Sequence, residues 1–160
     1  MDFFTAMLVL HIVAGSVCLL LGVVAFSVRK TKGNHTKFGE VYHASYIVIF
    51  VTAIIMAILH WDESAALFYV ALFSYSFALI GYLARKRRWR NWIFLHIRGM
   101  LGSYIGLVTA VLITNGSDIP FLKTLPLWTL WILPTIIGTP MIIYVNHRFR
   151  RSKKPKTAVL

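Results

Sequence analysis

The sequence predicts an all-α integral membrane protein, a bundle of five transmembrane helices with the N-terminus outside and the C-terminus in the cytoplasm. Composition is the first observation behind this. Residues of the AVILMFWYC set make up 58% of the 160-residue chain and charged residues only 14%, against roughly 25% charged in average soluble domains. Mean hydropathy is the second: at +0.72 it leaves too little polar side chain to cover a water-facing surface. The third is that the 17 Lys and Arg residues fall in short runs between long apolar stretches. The same figures exclude a disordered chain, which is poor in apolar residues. A single cysteine, Cys18, excludes a disulfide scaffold.

A bilayer core of about 30 Å needs about 20 mainly apolar residues in a helix. Lipid offers backbone N–H and C=O groups no partner outside the segment itself, so a helix is the expected form. The stretches that qualify are Phe3–Val28, Val41–His60, Ala65–Ala84, Trp92–Thr114 and Leu125–Asn146. They form one domain over residues 1–146, followed by a basic tail over 147–160. The first stretch does not read as a cleaved signal, because no basic segment precedes it and its positive charges follow it.

The connections alternate in character. Arg29–Lys37 and Arg85–Arg90 are basic, as is the tail from His147 through Lys156. Trp61–Ser64 is short and acidic, and Asn115–Pro120 has only Lys123 nearby. The positive-inside rule places the basic connections in the cytoplasm. Trp61, Trp128 and Trp131 fall at the expected outer boundary and Trp89 and Trp92 at the inner one, as amphipathic rings at headgroup level do. A net charge of +12 therefore reads as membrane topology. No nucleic-acid partner is expected, since such a partner needs its basic residues gathered over one folded surface. The tail is a topogenic anchor that can also meet anionic lipids.

Helices in lipid associate through small residues that let backbones approach. The fourth stretch carries Gly99, Gly102, Ser103, Gly106 and Ala110 along one side. The first carries Ala14, Gly15, Cys18 and Gly22. The fifth contains Pro134 and Pro140, each lacking a backbone donor, and a bend is expected there. Extending the small-residue seams backward by three or four positions reaches His11 and His96, so both imidazoles should point into the bundle. Ionisable groups inside a membrane are costly and mark function.

By depth the polar groups form two layers. His11 and His60 are outer; His43 and His96 are inner, with Glu40, Arg98, His35 and Tyr42 near them. An imidazole pair at one depth is what bis-histidine ligation of haem b needs. The candidate cofactor residues are thus His11, His43, His96 and His60, with Arg98 facing a haem propionate. His43 and His60 are seventeen positions apart on one helix, and at about 100° per residue their rings do not quite share a face. A divalent transition metal is the alternative, held by His11 with His60, or by Glu40, His43 and His35. Glu40 also suits a helix start through the dipole alone, and an ion pair between Glu40 and Arg98 would simply lock two helices.

No nucleophile elbow or phosphate-cradling glycine loop is present. A small transporter fits poorly, because the midplane is apolar and no inverted repeat is visible. The functional expectation is an intramembrane histidine site binding haem b or a metal ion for electron transfer near the quinone pool. The competing expectation is a non-catalytic membrane subunit or assembly factor without a cofactor. It would sit against another membrane protein, its buried His, Arg and Glu only pinning helices together.

His11 followed by Gly15 and Gly22, the basic connection, and then His35, Gly39 and Tyr42 resemble a family of small multi-pass bacterial membrane proteins known only as predicted proteins of unknown function. His96-Ile97-Arg98-Gly99-Met100, Ser103-Tyr104, Thr109-Ala110 and the Leu133–Pro140 segment are similar to the same family. The resemblance covers most of the chain in short motifs. It implies a bacterial cytoplasmic membrane location and brings no activity with it. A looser likeness links the chain to cytochrome b561-type helix bundles, in helix number and in histidines at two depths. The spacing of His43 and His60 departs from that pattern.

Overall fold

The computed structural model of the chain describes residues 2–28 and 33–152, with side chains through residue 150. All its long elements are helices: α1 Phe3–Ser27, α2 Asn34–Leu59, α3 Trp61–Lys86, α4 Trp92–Asn115 and α5 Leu127–Ser152. A short 3-10 turn, Leu122–Thr124, precedes α5. Five helices among the described residues are long and apolar enough to cross a membrane. Large apolar side chains also point outward. Leu20, Phe73 and Ile137 are 68%, 67% and 65% exposed, which only a lipid environment makes inexpensive. Arg29, Lys30, Thr31 and Lys32 of the first basic connection, and the tail from residue 153, lie outside the described residues.

The helices run further than their apolar cores. α2 starts at Asn34 rather than Val41, α3 fills Trp61–Lys86 rather than Ala65–Ala84, and α5 continues past Asn146. Hydropathy marks only the part in hydrocarbon, whereas backbone hydrogen bonding carries a helix on into the headgroup layer. Helix ends follow local chemistry. The Asp2 carboxylate caps α1, accepting from the Thr5 N–H at 2.7 Å. Gly33, at φ 122°, turns the chain into α2 through a conformation suited to glycine. Asp62 and Glu63 open α3, and Arg85 and Lys86 close it, each sign matching its end of the helix dipole. His60 alone separates α2 from α3, and its carbonyl accepts from the Glu63 and Ser64 N–H groups. α5 runs unbroken through Pro134 and Pro140.

Consecutive helices pack side by side, and α1 touches α4 lightly. The tightest crossing joins α3 and α4 at Gly81 and Gly99. A Cβ on Gly99 would lie 2.5 Å from the Gly81 Cα and 2.6 Å from the Phe77 carbonyl oxygen. Gly106 receives Ser74 in the same way, and Gly22 of α1 receives the Tyr104 ring. The expected seams are therefore real packing surfaces, although Gly15 has nothing within 4 Å of its missing Cβ. The buried core joins Ala14 and Cys18 of α1, Tyr42, Tyr46 and Ile49 of α2, Ala78 of α3 and Leu107 of α4. Two tyrosines reach across it from α2 to α4. The Tyr42 hydroxyl bonds Ser103 Oγ at 3.0 Å, and the Tyr46 hydroxyl donates to the Ser103 carbonyl at 2.8 Å.

Candidate functional site

One end of the bundle gathers the end of α1, the start of α2, the end of α3, the start of α4 and the end of α5 around a cavity of about 630 Å³. That size is ordinary for a small-molecule site, which spans roughly 300–1,000 Å³. Its walls divide by chemistry. Phe26, Ile97, Met100, Leu101, Met141 and Phe149 supply an apolar interior, while His35, Thr36, Glu40, Arg85, Lys86, Arg88 and His96 supply polar groups. This is the end carrying the basic connections.

The helix starts explain which polar groups arrive here. Because α2 begins at Asn34, His35 and Thr36 occupy its first turn and Glu40 its second. Glu40 reaches α3 and accepts from the Tyr82 hydroxyl at 2.6 Å and from Lys86 Nζ at 2.8 Å. Arg85 Nη2 donates to Thr36 Oγ1 at 3.0 Å. Both contacts tie α2 to α3 at the cavity wall. Glu40 is thus paired with Lys86, and the expected Glu40–Arg98 bridge is not formed. Arg98 is exposed and does not line the cavity.

Two histidines face each other across this end. The rings of His35 and His96 have centroids 6.3 Å apart and planes at 89°. His35 Nδ1–H donates to the Ala25 carbonyl at 3.2 Å, and His96 Nδ1–H donates to the Gly81 carbonyl at 2.9 Å. A carbonyl only accepts, so each neutral ring carries its lone pair on Nε2. The Gly81–Gly99 crossing brings α4 close enough to α3 for the second of these bonds.

The other candidate histidines have separate surroundings. His43 is 7% exposed and stacks on Tyr82, with ring centroids 3.9 Å apart, and beyond that on Tyr75. Among the described residues its Nδ1 is buried without a hydrogen-bond partner. His43 and His96 therefore have different ring neighbours, Tyr82 and Tyr75 for the one and His35 for the other. In the opposite half, His11 Nδ1–H donates to the Thr52 hydroxyl at 2.9 Å, and that hydroxyl donates in turn to the Val48 carbonyl. His60 packs edge-on against Phe4 at 4.6 Å. Inward pointing of His11 and His96 follows the seam argument. Among the described residues no three His, Cys, Asp or Glu side chains converge on one point. Glu40, His43 and His35 do not form such a group.

Sequence reasoning passed over Tyr82, Arg85, Arg88 and Thr36, and placed His35 in a loop. The basic run Arg85–Arg90 carries a topological signal that hides which of its members line a cavity. Comparison with family models, with curated proteins and with solved structures finds no match.

Proposed function

We propose that the protein is a membrane haem b protein whose iron is held between His35 and His96, and that it passes electrons within the membrane near the quinone pool. The observation that carries this is the His35–His96 pair. Two metal–nitrogen bonds of about 2 Å, plus the short reach from each nitrogen to its ring centre, would set two imidazoles sharing one metal at a centroid spacing of roughly 6 Å. The rings stand 6.3 Å apart. Both Nδ1–H groups are anchored on main-chain carbonyls, which fixes ring orientation and makes the other nitrogen a better ligand. Two imidazoles suffice only for a metal that brings its own equatorial ligands, and this favours haem over a bare divalent ion. When bound, haem supplies one-electron chemistry at its iron. Were haem bound, His35 and His96 would hold it through their ring nitrogens, Phe26, Ile97, Met100 and Leu101 would give it an apolar wall, and the Glu40–Lys86 pair would add no net charge at the cavity.

The topology we propose has the N-terminus outside and the C-terminus in the cytoplasm, supported by the positive-inside distribution. It puts the cavity at the cytoplasmic face. The location is a bacterial cytoplasmic membrane, supported by the resemblance of the His35–Tyr42 and His96–Met100 segments, and the partners are a quinone or another membrane protein. A second reading has a specific observation in its favour. Polar contacts already bridge helices, among them His11 to Thr52, His35 to Ala25, His96 to Gly81 and Glu40 to Lys86. A non-catalytic subunit or assembly factor would use them for that alone.

Full-length protein from haem-replete cells, purified in mild detergent, separates the two. A Soret band and a reduced α-band are expected. A colourless preparation that takes up no added haem rejects the redox reading.

A further inference from the structure

We propose that the mouth of the basic-end cavity is a carboxylate site, in which Arg85 and Arg88 hold the two propionate groups of the haem. This rests on the haem reading and adds to it the groups that orient the ligand.

The acid lining the cavity is Glu40, and its two oxygens are taken by Tyr82 and Lys86. Arg85 has a neutral hydrogen-bond partner, Thr36. Neither Arg85 nor Arg88 has a carboxylate within ion-pair distance among the described residues. Glu40 acts on Arg85 through space only, so among the described residues the two guanidinium groups border a largely apolar cavity without a directly ion-paired carboxylate. Arg85 is half-buried and Arg88 exposed at the cavity mouth, where a ligand carboxylate can supply the charge-assisted partner a guanidinium favours.

Backbone conformation points the same way. Arg88 sits at φ 49°, in the left-handed region that few residues other than glycine adopt and that clusters at functional sites. Asn91 follows at φ 64°. This tight turn between α3 and α4 sets the Arg88 guanidinium 5.8 Å from the Trp92 ring centre, on the cavity wall. The start of α2 adds the positive end of its dipole at the same mouth, and among the described residues no side chain caps it. A planar guanidinium fork matches a carboxylate oxygen for oxygen. The ligand that fits has an apolar body and two carboxylates on one edge, and the haem macrocycle with its propionates is such a molecule. The residue expected from sequence to face a propionate, Arg98, is replaced in this role by Arg85 and Arg88.

The test titrates the full-length protein in phosphatidylcholine nanodiscs with haem and with haem dimethyl ester, whose propionates carry no charge. Wild type should bind haem at least about ten-fold more tightly than the ester, the size expected of a charge-assisted contact. Arg85→Gln and Arg88→Gln should each shrink that preference, and the double variant should abolish it with the Soret maximum unmoved. Equal affinity of wild type for both ligands overturns the carboxylate site and leaves the histidine ligation standing. A preference that survives in the double variant overturns it as well. If Arg85→Gln fails to fold for want of the Thr36 bond, Arg88→Gln decides alone, and an unchanged preference there defeats the proposal. If the preference vanishes when phosphatidylglycerol replaces phosphatidylcholine, a lipid phosphate holds the mouth, and the proposal fails. Binding of neither ligand rejects the haem reading itself.

Discussion

His35 and His96 come from helices that are not chain neighbours, yet their rings stand perpendicular with centres 6.3 Å apart. Each is fastened to a third element, His35 to the end of α1 and His96 to the end of α3. Four helices thus fix one pair of imidazoles. Replacing either ring with alanine should remove the Soret absorbance per mole of protein, whereas His43→Ala and His60→Ala should keep it. Colour that survives His35→Ala would move the ligand assignment away from this pair.

The α3–α4 crossing should tolerate no side chain. A Cβ at Gly99 meets the backbone of Gly81 and Phe77, which cannot turn aside as a side chain can. We expect Gly99→Ala to destabilise the protein by about 2–3 kcal/mol, at the upper end for overpacking. Gly15→Ala, facing open space, should stay within about 0.5 kcal/mol. Unfolding in mixed detergent micelles measures both. A Gly99→Ala protein as stable as wild type would mean the helices can separate freely. Gly99→Ala should also weaken haem binding, because the Gly81 carbonyl that orients His96 belongs to the same crossing.

Tyr42 and Ser103 form a buried pair, 2% and 0% exposed. Ser103→Ala leaves the Tyr42 hydroxyl without its partner and should cost about 1–3 kcal/mol. Tyr42→Phe removes donor and desolvation together and should cost less. The double variant should be more stable than the sum of the two losses implies. Strict additivity in the cycle would show that the two groups do not interact.

The start of α1 should respond to acid. The Thr5 hydrogen bond holds the Asp2 carboxyl below its usual range. A depressed folded value means that the contribution is present above the ordinary carboxylate range and lost as pH falls through the lower one. Asp2 is fully exposed, so the effect is local. The Thr5 amide resonance should titrate with a midpoint below that of an unstructured Asp, and Asp2→Asn should abolish the titration. A midpoint at the ordinary value would show that the cap is not formed.

Much of the architecture is legible in the chain because lipid demands long apolar runs, and hydropathy locates them without ambiguity. The seam argument also works for His11 and His96, since small residues three and four apart announce the inward face. The ends of the helices escape that reading. His35, Thr36 and Glu40 lie among polar neighbours, so no apolar period extends over them, yet they are helical and line the cavity. With His35 read as loop, its register against His96 has no basis, and His43 stands in its place as the inner partner. Glu40 meets Lys86 rather than Arg98 because the α2–α3 packing sets its neighbours, and residue spacing within α2 carries no trace of that. Arg85 and Arg88 are likewise indistinguishable in sequence from the other arginines of their run, since the last turn of α3 places the one and a left-handed backbone places the other.

The single residue between α2 and α3 works as the pivot of a pair of tongs. With His60 as the sole link, these two rods are held against sliding lengthwise past each other, and a given change in their crossing angle moves them most at their far tips. Those tips carry Thr36 and Glu40 on one arm and Arg85 and Lys86 on the other. A molecule entering from the bilayer would meet a jaw whose two clasps, Glu40–Lys86 and Thr36–Arg85, must unfasten together.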